Sequence, residues 1–126
     1  MKRAGQIAVT AFPYADDPAG AKFRPVLILR QASHRYDDWL VCMVSSRLQQ
    51  AEVGFDEIVD VGDPDFVTSG LKAASVFRLK RLAVLGGGVL LGSIGAVNDV
   101  RLSRMRRRLA DWICGDHEEK PPTEIS

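Results

Sequence analysis

The sequence predicts a small, mainly β domain in which a strongly bent antiparallel sheet or barrel is followed by one C-terminal helix. Five or six short apolar segments are separated by turn residues, a pattern typical of antiparallel β proteins. One segment near the C-terminus instead repeats its apolar residues with the period of an α-helix. With 126 residues, the chain is long enough for one domain and too short for two.

Two strands and a long loop are predicted in the N-terminal part. Residues 5–12 alternate loosely between apolar and polar positions and predict the first strand. Residues 14–21 are rich in Ala, Asp, Pro and Gly, which predicts a loop long enough to act as a binding loop or lid. Phe23 to Leu29 predicts the second strand, and its run of branched apolar residues indicates burial on both faces.

The middle of the chain predicts short elements joined by polar turns. A polar turn over residues 31–38 precedes the third strand, Trp39 to Val44. Ile58 to Val61 lies between acidic residues and predicts a short edge strand, because charges there discourage pairing with other chains. Residues 66–71 predict about one helical turn.

A long bulged strand and a shorter one are predicted next. Ser75 to Leu85 is mostly apolar, but its large side chains change faces between Leu79 and Leu82, which predicts a β-bulge or bend. Gly86 to Gly88 predicts a hairpin turn, and Val89 to Ile94 predicts the last strand.

The chain is predicted to end in a helix and a tail. The helix runs from about Asp99 to Cys114, with Asn98 or Asp99 as its N-cap and Gly115 as its stop signal. Residues 1–115 are therefore predicted to form a single domain. Residues 116–126 are acidic and contain two adjacent prolines, which predicts a disordered tail.

Charge is segregated along the chain although the net charge is only +1. The segment from residue 72 to 108 opposes nine basic residues to one acidic residue, and the segment from 37 to 65 opposes eight acidic residues to one basic residue. A basic segment of this density suits a polyanion or an acidic peptide. The alternative interpretation is a solvated helix face and solvated loops.

The stretch from Gly20 to Leu29 places two cations directly before a buried strand. Pro25 fixes its own φ and holds the preceding residue extended, so Arg24 is presented in a defined direction. An arginine held in this way can bind a phosphate through two parallel hydrogen bonds. Lys22 would supply a second positive charge beside it.

Several short motifs accompany this stretch: Gly5-Gln6-Ile7, Phe12-Pro13-Tyr14, Gly20 with Lys22, Arg24 and Pro25, Met43 to Ser46, Gly70-Leu71-Lys72 with Ser75-Val76, and Ile94-Gly95. Together they resemble the MazF/PemK family of toxin endoribonucleases over about residues 5 to 113. The resemblance implies an SH3-like antiparallel β-barrel of the MazF/CcdB type with a C-terminal helix, acting as a cytoplasmic homodimer. It also implies a cognate antitoxin whose acidic segment covers the cleft.

The same resemblance implies a sequence-selective, metal-independent toxin that cleaves single-stranded RNA, with mRNA as the expected target. Its catalytic pair would be Arg24 and Ser45, which can meet if the second and third strands are antiparallel neighbours. No cofactor is implied. The implied RNA-binding residues are Lys22, Tyr14, Ser46, Lys80 and Arg81.

Base stacking needs exposed aromatic residues, and three flank the predicted loop. Tyr14 is the best stacking candidate, whereas Phe12 and Phe23 are predicted to belong to the core.

Other classes of function are less well supported. Neither His34 nor His117 has a partner at catalytic spacing, and no cluster of Asp, Glu, His or Cys predicts a metal site. No apolar run is long enough to span a membrane, so a cytosolic protein is expected. Two alternatives stay open: a non-enzymatic poison of DNA gyrase, as in relatives of this fold that use C-terminal helix residues, and an inactive relative that only binds RNA.

Overall fold

The computed structural model describes residues 2–12 and 22–115, in which six strands form one antiparallel sheet. The strand order is β4-β5-β3-β2-β1-β6, so the sheet is open, with β4 and β6 at its edges. This confirms the predicted fold class. The elements are β1 (Gln6–Phe12), β2 (Lys22–Ser33), β3 (Asp38–Ser45), β4 (Glu57–Val59), α1 (Phe66–Ser69), β5 (Ser75–Gly86), β6 (Leu90–Ala96) and α2 (Asp99–Ile113), with short 3-10 turns at Leu48–Gln50 and Gly87–Val89.

Helix α2 covers one face of the sheet and completes the main core. Leu102, Met105 and Leu109 recur at helical spacing and are buried against the sheet, which makes α2 amphipathic. The Asn98 side chain accepts a hydrogen bond from the Arg101 backbone N–H at 2.8 Å, as expected for an N-cap. Gly115, with φ of 87°, ends the helix. Neither described helix has the length and apolar composition needed to cross a membrane.

The predicted bulge is present in β5. Cys42 of β3 lies opposite Leu82, but the next residue, Met43, lies opposite Arg78, so three residues of β5 have no counterpart on β3. Leu79 fills the main core from within this bulge. Because the bulge resets the alternation of side chains, residues on either side of it can be directed to the same region of the molecule.

The basic and acidic segments of the sequence meet inside the protein. Arg101 of α2 is buried and forms ion pairs with Glu57 at 2.9 Å, with Asp65 at 2.8 Å and with Asp63 at 3.0 Å. Arg104 also pairs with Glu57, at 2.6 Å. The alternative interpretation of a solvated helix face is therefore wrong for Arg101, whose charge is neutralised within the fold.

These ion pairs change the titration of the two buried carboxylates. Burial raises the pKa of Glu57, but the hydrogen bond from Arg104 and the charges of Arg104 and Arg101 outweigh it, so the pKa lies below its ordinary value. Burial also raises the pKa of Asp65, but the hydrogen bonds from Arg101 and from the Asn98 N–H lower it by more. The pKa of Asp65 therefore also lies below its ordinary value. Both side chains are ionised at neutral pH as a result.

Two glycines allow α1 to pack directly on β6. Gly70 ends α1 with φ of 75°, and a Cβ atom added there would overlap the Ile94 carbonyl. A Cβ atom added at Gly95 would overlap the Thr68 carbonyl. The backbones of the two elements are thus too close for any side chain at either glycine.

Replacing Gly95 by Ala is expected to destabilise the protein by about 1–3 kcal/mol, since the added methyl group meets fixed backbone rather than a movable side chain. Urea unfolding followed by circular dichroism would measure the change. Gly92→Ala is the matched control in the same strand, because its Cβ atom would meet nothing within 4 Å. Equal stabilities of the two variants would contradict the close approach of α1 and β6.

Candidate functional site

A cleft of about 1040 Å³ lies across the end of the sheet where β2 begins and β3 ends. Five of the residues that line it are cationic, and the described lining contains no carboxylate or imidazole. These five positive charges thus share one concave surface, and such a surface favours the binding of an anionic ligand. The cationic residues are Arg24, Arg47, Lys72, Arg78 and Arg81.

Arg24 and Ser45 lie on neighbouring antiparallel strands at the cleft. Val26 of β2 is opposite Met43 of β3, and continuing this register by two residues places Arg24 opposite Ser45. Residues opposite one another on neighbouring strands direct their side chains to the same face. The sequence-based condition for bringing these two side chains together is therefore met.

The two side chains are held by their surroundings. Arg24 is half-buried with its Nε atom out of contact with solvent, and Thr10 of β1 lies opposite it on the other side of β2. The Ser45 hydroxyl oxygen accepts a hydrogen bond from the Arg47 backbone N–H at 3.1 Å. Since that bond uses a lone pair of the oxygen, the hydroxyl proton stays available for donation to a ligand.

The bulge in β5 separates the two adjacent cations that sequence analysis grouped together. Arg81 is exposed and lines the cleft. Lys80 instead pairs with Glu52 at 3.2 Å, and its ammonium lies 4.7 Å from the ring centre of Phe55 and 5.4 Å from that of Trp112. The structure therefore brings Arg81 to the site and does not bring Lys80 there.

The other sequence-based candidates have mixed outcomes. Ser46 is exposed and lines the cleft. The Lys22 backbone pairs with Phe12 at the start of β2, but its side chain lies outside the described part of the structure, as does the whole of Tyr14. The predicted core position of Phe23 is wrong, because this residue lines the cleft with 65% of its surface exposed.

Three cations of the cleft were not proposed as site residues from the sequence. Lys72 lines the cleft and belongs to the Gly70-Leu71-Lys72 motif, which was a usable signal. Arg78 belongs to the basic segment, but nothing in the sequence indicated which face it occupies. Arg47 follows the Ser45-Ser46 motif and carried no signal of its own.

Comparison with known proteins places this arrangement in context. Residues 3–113 match the model of a family described as PemK-like, MazF-like toxin of type II toxin-antitoxin system. No curated protein sequence matches the chain.

The solved structures that share the fold include two toxin complexes. One is an endoribonuclease in complex with its cognate antitoxin from a mycobacterial species, with a TM-score of 0.64 and 16% identity over 94% of this chain and 100% of that one. The other is a MazE-MazF complex from Deinococcus radiodurans, with a TM-score of 0.65 and 16% identity over 89% of this chain and 94% of that one.

Proposed function

Because the chain belongs to the family of PemK-like, MazF-like toxins of type II toxin-antitoxin systems, we propose that it is a metal-independent endoribonuclease that cleaves single-stranded RNA. The observation that carries the proposal is the register of β2 and β3, which places Arg24 opposite Ser45 in a cleft lined by cations. An arginine and a hydroxyl that face the same phosphate can stabilise the negative charge of a pentacovalent phosphate.

The proposed reaction uses the 2′-hydroxyl of the RNA as its nucleophile. Its oxygen attacks the adjacent phosphorus as its proton passes to water, the bond to the 5′-oxygen breaks, and that oxygen takes up a proton from water. The Arg24 guanidinium and the Ser45 hydroxyl bind the charged non-bridging oxygens as negative charge develops on them. The products are a 2′,3′-cyclic phosphate, or the 3′-phosphate formed from it, and a 5′-hydroxyl.

The donor set of the cleft supports chemistry without a metal ion. Its described ionisable side chains are all arginine or lysine, whereas Mg²⁺ and Mn²⁺ sites need carboxylate oxygens. The same cations provide the electrostatic stabilisation that a metal would otherwise supply.

The surface around the catalytic pair suits an unpaired strand. Lys72 and Arg81 are exposed and can contact the sugar-phosphate backbone, and the exposed ring of Phe23 offers a stacking surface for a base. We retain Lys22, Tyr14 and Ser46 as RNA-binding residues in this proposal. We expect the protein to act in the cytoplasm as a toxin that cleaves mRNA at selected sequences.

A cognate antitoxin is the proposed protein partner. Both solved relatives described above are complexes with an antitoxin. A cleft with five cations and no described carboxylate would attract an acidic antitoxin segment, which would order on binding and exclude RNA. We also propose that the toxin is a homodimer, as the family resemblance implies.

The proposal is tested by incubating the purified protein with a long single-stranded RNA in excess EDTA. Discrete fragments are expected, and mapping their ends would give the recognition sequence. Intact RNA from folded protein would remove the nuclease proposal. In that case, RNA binding without cleavage would indicate an inactive relative, and inhibition of DNA gyrase would indicate a poison.

The gyrase alternative has weak structural support. Of the two residues at the end of α2 that would allow it, Ile113 is exposed, but Trp112 packs against Phe55 with ring centres 5.9 Å apart and lies partly within the core. Its insertion into another protein would require it to leave that contact.

A further inference from the structure

We propose that Arg78 binds a phosphate of the RNA next to the scissile one, and so sets the path of the strand from the catalytic pair toward β5. This inference rests on the proposed function, since it assigns a second phosphate subsite within the same cleft. Sequence analysis did not single out Arg78 as a site residue.

The first observation concerns the burial of the Arg78 side chain. Its Nε atom is out of contact with solvent, and within residues 2–12 and 22–115 it has no hydrogen-bond partner. A buried donor on a charged group is costly to leave without a hydrogen-bond acceptor. Arg78 lines the cleft, so an anionic ligand bound there could supply the missing acceptor.

The second observation is the position of Arg78 relative to Ser45. Met43 lies opposite Arg78, and Ser45 lies opposite Val76, without a register shift between the two pairs. Arg78 therefore lies on the same face of the sheet as Ser45 and Arg24. It is on β5, the strand next to that of Ser45, and it is displaced by two residues along the strand direction from the position opposite Ser45. From the spacings of strands and of residues, the Arg24 and Arg78 Cα atoms are roughly 12 Å apart. Side chains at that separation can hold neighbouring phosphates of one strand.

The bulge explains why this position is fixed. It begins directly after Arg78, and Leu79 anchors it in the main core. The Leu79 backbone N–H also donates a hydrogen bond to the Asp56 carboxylate at 3.0 Å. Arg78 is thus held by its neighbour, whereas the exposed Arg81 on the far side of the bulge is not buried in this way.

The test uses RNA that carries a 2′-deoxy nucleotide at the mapped cleavage site, so that binding is measured without cleavage. Arg78→Ala is expected to weaken binding about 10- to 100-fold. It should also lower the slope of log affinity against log salt concentration by about one, as expected for the loss of one phosphate contact. Arg78→Lys should recover part of the affinity, because it restores the charge but not the guanidinium fork. The control is Arg107→Ala, which removes an exposed arginine of α2 that does not line the cleft.

The assignment to a neighbouring phosphate is tested by replacing single phosphates with neutral methylphosphonates. In the wild type, neutralising the phosphate that Arg78 contacts should weaken binding about tenfold or more, whereas in Arg78→Ala the same replacement should have little further effect. The contact is overturned if each replacement weakens the variant and the wild type equally. It is also overturned if the only non-additive position is the scissile phosphate.

The failure of this inference is distinguishable from failure of the proposed function. If the wild type does not cut RNA, the nuclease proposal fails and no 2′-deoxy nucleotide is needed, and Arg78 is then tested by the effect of Arg78→Ala on the affinity for the unmodified RNA. If the wild type cuts and Arg78→Ala binds and cuts equally well, only the Arg78 subsite is wrong. Thermal unfolding of both Arg78 variants separates loss of binding from loss of fold.

Discussion

Replacing Arg24 by Ala is expected to lower the rate of RNA cleavage by at least 10²- to 10³-fold while leaving the protein folded. Removing one preorganised donor to a developing oxyanion typically has an effect of this size. Arg24 lies near the start of β2, opposite Ser45 and within the cationic cleft, so its loss removes transition-state stabilisation directly. Single-turnover cleavage of the mapped RNA with enzyme in excess measures the change.

Two further variants make this result specific. Arg30→Ala, which removes an exposed arginine from the other end of β2, should cleave at close to the wild-type rate. Arg24→Lys should stay well below wild type, because an ammonium cannot bind two phosphate oxygens in the geometry of a guanidinium. Wild-type rates for Arg24→Ala in single turnover would show that Arg24 is not catalytic.

Replacing Arg101 by Met is expected to destabilise the protein by about 3–5 kcal/mol, because it leaves the buried Asp65 without its ion-pair partner and removes one of the partners of Glu57, which keeps Arg104. The Asp65 side chain is only 2% exposed and the Glu57 side chain 8%, so water cannot replace the lost guanidinium. Urea unfolding at pH 7 measures the loss. Arg107→Met, in an exposed position on the same helix, should change stability by about 0.5 kcal/mol or less.

A double-mutant cycle and a pH series identify the origin of this loss. Asp65→Asn should cost the Arg101→Met variant much less than it costs the wild type, since the buried charge is then no longer present. Additive losses would mean that Arg101 acts through packing alone.

The sign of the pH effect follows from the lowered pKa values of Glu57 and Asp65. Their contribution to wild-type stability is fully present above about pH 5, beyond the ordinary carboxylate pKa values, and is lost as the pH falls through their lower folded-state pKa values. In the Arg101→Met variant, Asp65 has lost its ion pair and Glu57 has lost one of its cationic partners, so both carboxylates can be protonated more easily. The difference in stability between wild type and variant should therefore shrink on acidification, and a constant difference from pH 7 to pH 3 would contradict the ion-pair cluster.

Much of the fold could be predicted because its signals are local. The period of α2, its Asn98 cap and Gly115 stop, and the change of faces in β5 all follow from neighbouring residues. The strand order and the pairing of Arg101 with Glu57 and Asp65 are long-range features. Counting charges revealed both segments, but it could not reveal that they neutralise one another.

The site was predictable only where a motif fixed it. Arg24 and Ser45 came from the family resemblance, and the antiparallel register of β2 and β3 then accounts for their proximity. Lys80 and Arg81 are adjacent in sequence, yet the bulge sends one to Phe55 and the other to the cleft. Arg78 was missed for the same reason, since the face of a residue beside a bulge depends on how many residues the bulge contains.

Cleavage by the 2′-hydroxyl at the Arg24–Ser45 cleft is tested most directly with a pair of synthetic RNAs. Both contain the mapped recognition sequence, and one lacks the single 2′-hydroxyl on the 5′ side of the cleaved bond. The wild-type protein is expected to cut only the all-ribose RNA, in excess EDTA, and to leave a 2′,3′-cyclic phosphate or 3′-phosphate and a 5′-hydroxyl. Cleavage of the 2′-deoxy RNA at the same bond, or products with a 3′-hydroxyl and a 5′-phosphate, would contradict this reaction.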